Sequence, residues 1–455
     1  MKVLRFVIAV AVSSCSVSAS KVQQLRSVPG ICTVISNSRP TWPICATNLR
    51  DDDGSSIGGV QDHSENQSDR HGHDTGTKFG LPYEKPADYS NDDPSCTGHL
   101  DHIDDKLCVY IHPAFEKGRG ISAFTTPSIA REFEKRISAI ARERDGRRNA
   151  SGTLSEITMH PSLEVTALSN KGMGVVATSL IPAGTRLLHS SPVLLVHNIE
   201  SPRAFEREFH LRTAVAKLPP ATRDAFNNLA KSYNNPAVHA QDIIKTNAFA
   251  IDVSSVQHLA VFPEASRFNH DCAPNAMYYL DNIGLTHTLH ATREIAEGEE
   301  VTVSYVDPIS PAWFRKSELL QAFGFTCSCH RCANAEEDDA LLAEAKLLEA
   351  ELGDWESDTS DTDSWAYTQK AKRLIELYQT LKLEGFINTA YGHAALTYNS
   401  LGDSGKATMY ARKALEAAKL RHGPAELGSR AVTVWEEFLE EGAWAHWSWN
   451  RRRED

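Results

Sequence analysis

Arg267-Phe268-Asn269-His270-Asp271-Cys272-Ala273-Pro274-Asn275 is the stretch on which the reading of this chain turns. Asn, Asp and Pro make it a turn by composition, and a His and a Cys inside that turn give it chemistry. Two later stretches belong with it. Gly298-Glu299-Glu300-Val301-Thr302-Val303-Ser304-Tyr305 is a short alternating run closed by an aromatic residue, and Phe325-Thr326-Cys327-Ser328-Cys329-His330-Arg331-Cys332 holds three cysteines. Alone, these are a turn, a packing tyrosine and a cysteine tail; order and spacing give them weight together. With Cys272, the Cys327-x-Cys329-x-x-Cys332 spacing supplies four sulfurs, the set of a closed tetrahedral structural zinc site. Disulfide pairing is the alternative, although Cys327 and Cys329 are too close to bridge easily.

These three stretches resemble the C-terminal half of a SET domain and its post-SET tail, and the resemblance covers roughly residues 158–333. It implies a β-rich α+β fold, adenosylmethionine as methyl donor and a protein lysine as acceptor. Tyr305 is the implied catalytic residue, and His270 as a base is not what the family uses. Asn269 and His270 are implied to contact the cofactor, and Phe325 to cover it. The hairpin Leu163–Leu168 to Gly174–Thr178 carries Lys171, Gly172, Met173 and Gly174 where the family has its Gly-x-Gly cofactor loop, glycine suiting a backbone that approaches a ligand. Phe249 and Phe323 are implied in the lysine channel, and Cys272, Cys327, Cys329 and Cys332 in one zinc site. The chain is similar to the SET-and-MYND type, with no cysteines left for a MYND finger, and its layout looks like filamentous-fungal SET proteins. It departs from that type at Asp271, usually Ser, and at Phe323, where relatives have a second Tyr. A secreted, non-catalytic SET scaffold is the alternative function.

The 455 residues are 41% apolar with a net charge of -12. That allows two or three domains and argues against direct nucleic-acid binding, which needs a basic face. Lys2 and Arg5, the apolar run Phe6–Val12 and the small residues to Ala19 read as a signal peptide at 1–19, so a secretory location is expected, with nucleus or cytoplasm as the alternative. No stretch reaches the roughly 20 apolar residues of a membrane-spanning helix.

The region 20–150 holds Cys32, Cys45, Cys96 and Cys108, expected as two disulfides. Local closure, Cys32 with Cys45 and Cys96 with Cys108, is the simplest of three connectivities. Residues 51–95, acidic and with His63, His71 and His73, read as a disordered linker. Asn66 and Asn149 open glycosylation sequons. Val109–His112 and Ile121–Phe124 read as two strands around Gly118-Arg119-Gly120, a second Gly-x-Gly taken as a decoy. A cap at Thr126 and Pro127 opens an amphipathic helix to about Arg144.

Residues 199–246 read as the helical insert of the SET fold. The region 334–455 is helical, and Tyr391, Ala394, Ala395, Tyr398, Gly402, Ala407, Ala411 and Ala414 fit one tetratricopeptide-type helix pair. A helical cap on the catalytic domain is the other reading of this region, which is also a candidate for protein docking. Trp435, Trp444, Trp447 and Trp449 read as packing or a docking patch.

Overall fold

The computed structural model describes residues 95–148, 158–199, 202–355 and 364–452. The expected signal peptide, Cys32 and Cys45, the expected acidic linker with its histidines, and both sequons lie outside the described residues, Ser95 at the linker's end apart.

Strands β1 (Cys108–His112) and β2 (Ile121–Thr125) form the antiparallel pair expected from their sequence. They stand in a five-stranded sheet of order β1-β2-β7-β9-β8, with β7 Leu194–His197, β8 Ala248–Val253 and β9 Val256–Val261. β2 pairs in parallel with β7, Ser122 opposite Leu194. So part of the region assigned by sequence to 20–150 is built into the same sheet as the SET-like strands. Cys96 and Cys108 are disulfide-bonded, tying the segment before β1 to that strand.

Alternation along each strand gives this sheet two buried faces. Ile121, Ala123, Leu195 and Ala260 face one core with Phe249, Phe262 and Phe268. Phe124, Leu194, Val196, Leu259 and Val261 face a second core with Leu211, Phe226 and Ile243. That second core lies under the helical insert, as α2 (Ala204–Ala216), α3 (Pro220–Asn227) and α4 (His239–Asn247). The first core is closed by helix α1 (Pro127–Arg148), which turns Phe133 and Ile140 inward.

The remaining strands carry the site. β3 (Thr158–Met159), β6 (Arg186–Ser190), β11 (Ala276–Asp281) and β12 (Thr286–Ala291) make a four-stranded sheet. β4 (Leu163–Leu168) and β5 (Gly172–Ala177) are the expected hairpin. β10 (Asn269–His270) pairs in parallel with β13 (Thr302–Val303). β13 is shorter than the run Glu300–Tyr305, because side chains instead of a strand ladder receive the flanking N–H groups: Asn275 Oδ1 takes Thr302 N and His270 Nδ1 takes Tyr305 N.

Helices α5 (Ala312–Phe323) and α6 (His330–Ala333) lead into the C-terminal helices α7 (Ala335–Gly353), α8 (Ser364–Thr380), α9 (Asn388–Ser400), α10 (Ser404–His422) and α11 (Arg430–Glu441). α9 and α10 are the helix pair marked by the small/aromatic spacing: Ala390, Ala394, Ala407, Ala411 and Ala414 are buried. The helices close over the SET-like sheet through Met277 of β11, which shares their core with Leu377, Leu383 and Phe386. A Cβ on Gly385 would lie 2.8 Å from Met277 Cε, so the backbone at Gly385 approaches as closely as glycine alone permits. Trp435 and Trp449 pack in a further cluster with Ala395, Tyr398 and Phe438, whereas Trp444 and Trp447 are exposed. No helix among the described residues is long and apolar enough to cross a membrane.

Candidate active site and metal centre

The Gly-x-Gly hairpin, the Asn-His segment and the Glu299-Glu300 pair before β13 converge. Asn269 Nδ2 donates to Glu300 Oε1 at 2.9 Å, and Lys171 Nζ to Glu300 Oε2 at 2.6 Å. Gly174 lies directly beside them: a Cβ there would fall 2.7 Å from Asn269 Nδ2 and against Leu168 Cδ1. Met173 and Phe325 are exposed at the same site. The decoy Gly118-Arg119-Gly120 is shut. A Cβ on Gly120 would meet Pro219 at 2.6 Å, and Arg119 is held by both oxygens of Glu264.

Tyr305 is fixed at both ends. Its hydroxyl donates to the Phe268 carbonyl at 2.8 Å and its main-chain N–H donates to His270 Nδ1 at 2.9 Å. His270 Nε2 lies 3.2 Å from Cys272 Sγ. Since Nδ1 accepts, the ring proton of neutral His270 sits on Nε2 and is directed at a sulfur. Both nitrogens are engaged, so His270 has no free lone pair with which to take a substrate proton. An aromatic group surrounds it: Tyr305 packs 4.8 Å from Phe323, and Phe325 stands 6.2 Å from His270. Phe249 lies fully buried in the first core, edge-on to Phe262, Tyr278 and His287.

Cys272, Cys327, Cys329 and Cys332 come together with all four Sγ atoms within 4.8 Å of one another. A tetrahedron with Zn–S bonds of about 2.3 Å has edges of about 3.8 Å, and Cys272 and Cys332 Sγ are 3.6 Å apart, so the donor set fits zinc in number, softness and size. All four are free of disulfides, which leaves the pairing alternative unsupported. Hydrogen bonding from Cys272 pulls Cys329 down and Cys332 to about 7, while hydrogen bonds with Cys327 and its neighbours push Cys272 up. Four thiolates cannot share this space without a cation.

Residues outside the sequence motifs complete the centre. Arg331 donates to the Cys272 carbonyl at 2.6 Å and, with Arg315, binds the carboxylate of Asp338. All three are buried, so a charged triad pins α5, α6 and α7 behind the sulfurs. Glu299 accepts from Asn275 Nδ2 at 2.9 Å and from Arg293 at 2.6 Å. Sequence reasoning quoted Glu299 and Glu300 but assigned them nothing; they lie just before β13, with Glu300 in an isolated bridge to Val176.

Residues 172–306 match the SET domain family. Histone-lysine N-methyltransferase set5 of Schizosaccharomyces pombe is 30% identical over 177 residues, which are 38% of this chain and 51% of that protein. N-lysine methyltransferase SMYD2-A of Xenopus laevis and SMYD2 of Homo sapiens are each 34% identical over 106 residues, 23% of this chain and 24% of theirs. The chain thus spans about half the length of the first relative and about a quarter of the others. With the hairpin, the parallel β10–β13 pair and the Tyr305 setting already in place, residues 172–306 match the SET domain, and over that region the chain is similar to protein-lysine methyltransferases.

Proposed function

We propose that this chain is an adenosylmethionine-dependent protein-lysine N-methyltransferase whose post-SET tail is held by one structural zinc ion. The observation that carries the reading is the setting of Tyr305, anchored by its hydroxyl to Phe268 and by its main chain to His270, next to the Asn269–Gly174 contact. When bound, adenosylmethionine supplies the methyl group on a sulfonium. Lys171, Gly172, Met173, Gly174, Asn269 and His270 would bind it, with Phe325 as cover.

The chain's own part is alignment and exclusion of water, the main requirements for a neutral amine meeting a methyl donor in line. The Tyr305 hydroxyl donates its hydrogen bond to the Phe268 carbonyl, so its oxygen turns lone pairs toward the lysine amine and the methyl hydrogens. Aromatic faces of Tyr305, Phe323 and Phe325 favour a cationic sulfur, and Phe249 backs the channel. Since His270 has no lone pair to spare, the lysine ammonium loses its proton to water before transfer. Phe323 offers no second hydroxyl beside Tyr305.

Zinc would be held by Cys272, Cys327, Cys329 and Cys332, and would keep Phe325 in place. We also propose a secretory location, supported by the Cys96–Cys108 disulfide, because such bridges persist in oxidising compartments. The C-terminal helices are proposed to aid protein docking. Incubation of the chain with methyl-labelled adenosylmethionine and a protein extract tests the activity: label on lysine supports it, and absence of transfer by zinc-loaded protein contradicts it.

A further inference from the structure

Glu299 and Glu300 are neighbours in sequence, and each clamps one asparagine at either end of Asn269-His270-Asp271-Cys272-Ala273-Pro274-Asn275. The two clamps differ in surroundings. Asn275 is buried and fully used: Nδ2 donates to Glu299 and to the Glu300 carbonyl, and Oδ1 receives Thr302 N. Glu299 is itself tied to Arg293 and to Ala296 N. That clamp is structural. Asn269 is only partly buried, and the partner it shares Glu300 with, Lys171, is on the exposed tip of the hairpin.

A carboxylate accepts and cannot donate. Asn269 must therefore turn Nδ2 toward Glu300 and present Oδ1 as an acceptor on its other side. The amide cannot flip without losing a charge-assisted bond. Alongside stand one positive and one negative charge, Lys171 and Glu300, which match the carboxylate and ammonium of an amino-acid zwitterion. Resting on the function proposed above, we infer that Glu300 is a positioning residue: it fixes the Asn269 amide and the Lys171 amine for the amino-acid end of adenosylmethionine, and takes no part in holding its adenosine end.

The test is calorimetric titration of full-length, zinc-loaded protein with S-adenosylhomocysteine and with methylthioadenosine, which lacks the amino-acid end. Glu300→Gln, whose amide can donate to Asn269 Oδ1 and reverse it, should weaken S-adenosylhomocysteine about ten- to a hundredfold, the span of a hydrogen bond to a charged group, and leave methylthioadenosine unchanged. Lys171→Met, on an exposed turn where folding is not at issue, should act in the same selective direction. Zinc content and thermal midpoint should stay at wild-type values in both. Equal loss of both ligands, or affinity unchanged in both variants, overturns the inference while leaving the proposed function standing. Wild-type protein that binds neither ligand overturns both.

Discussion

The main-chain N–H of Tyr305 donates to Nδ1 of His270 at 2.9 Å. His270 uses its other ring nitrogen on Cys272 Sγ, so one imidazole joins the four-cysteine cluster to Tyr305. His270→Phe removes both links while keeping an aromatic ring. It should lower methyl transfer and weaken zinc together, and zinc release followed with a chromogenic chelator should be faster. Zinc retention at wild-type strength with transfer lost would show that His270 serves the tyrosine alone.

Cys329→Ser tests the same coupling from the metal side. Binding free energy at a structural zinc site is folding free energy for the segment it closes. The variant should lose zinc by elemental analysis and lose cofactor affinity with it, since Phe325 lies only a few residues away. The Cys96–Cys108 bridge should remain, by mass mapping.

Asp338 receives two buried arginines, one of which also holds the Cys272 carbonyl. Asp338→Asn leaves those cations uncompensated, a change that costs about 3–5 kcal/mol at buried sites. Denaturant unfolding should show that loss together with weaker zinc binding; a variant of wild-type stability would mean that water or other groups replace the carboxylate.

The helical region is built onto the four-stranded sheet at Gly385, where a side chain would strike Met277 and Thr292. Gly385→Leu should destabilise by about 1–3 kcal/mol, as overpacking does, and reduce transfer without altering zinc content. An unchanged midpoint in thermal unfolding would indicate that the two regions separate freely.

Much of this was open to reading from sequence. Period-two runs gave the β4–β5 hairpin and β12, and the cap at Thr126–Pro127 gave the start of α1. The cysteine spacing pointed to the four sulfurs that the fold brings together. What sequence could not give is which distant strands pair: nothing local in Ile121–Thr125 signals a parallel partner at Leu194–His197, so the sheet crosses the boundary expected near residue 150. Thr185–Val196 read as one β-rich run, yet its two halves, β6 and β7, enter different sheets. Glu299, Glu300 and Asp338 are polar residues whose importance lies wholly in the partners that the fold supplies.

Acid should unfold the protein through buried neutral histidines. His258 is lowered from 6.5 to about 4 by burial, with Nδ1 donating to the Val256 carbonyl and Nε2 accepting from Thr125. His210 is likewise lowered to about 4 by burial. With the folded value below the unfolded one, the unfolded chain binds more protons between about 6.5 and about 4, and stability falls as pH drops through that window. Thermal midpoints across this range should decline, and His258→Gln should flatten part of the slope; a pH-independent midpoint would contradict the burial argument.

Tyr305→Phe removes one oxygen, the one that donates to the Phe268 carbonyl. Transfer from methyl-labelled adenosylmethionine to protein lysine, measured for wild type and variant with zinc content and cofactor affinity matched, is the most direct test. The account predicts lysine labelling by the wild type and a fall of at least about a hundredfold in the variant, the scale for losing one group placed at the reacting centre. Equal labelling by both proteins, or none by zinc-loaded wild type, would contradict it.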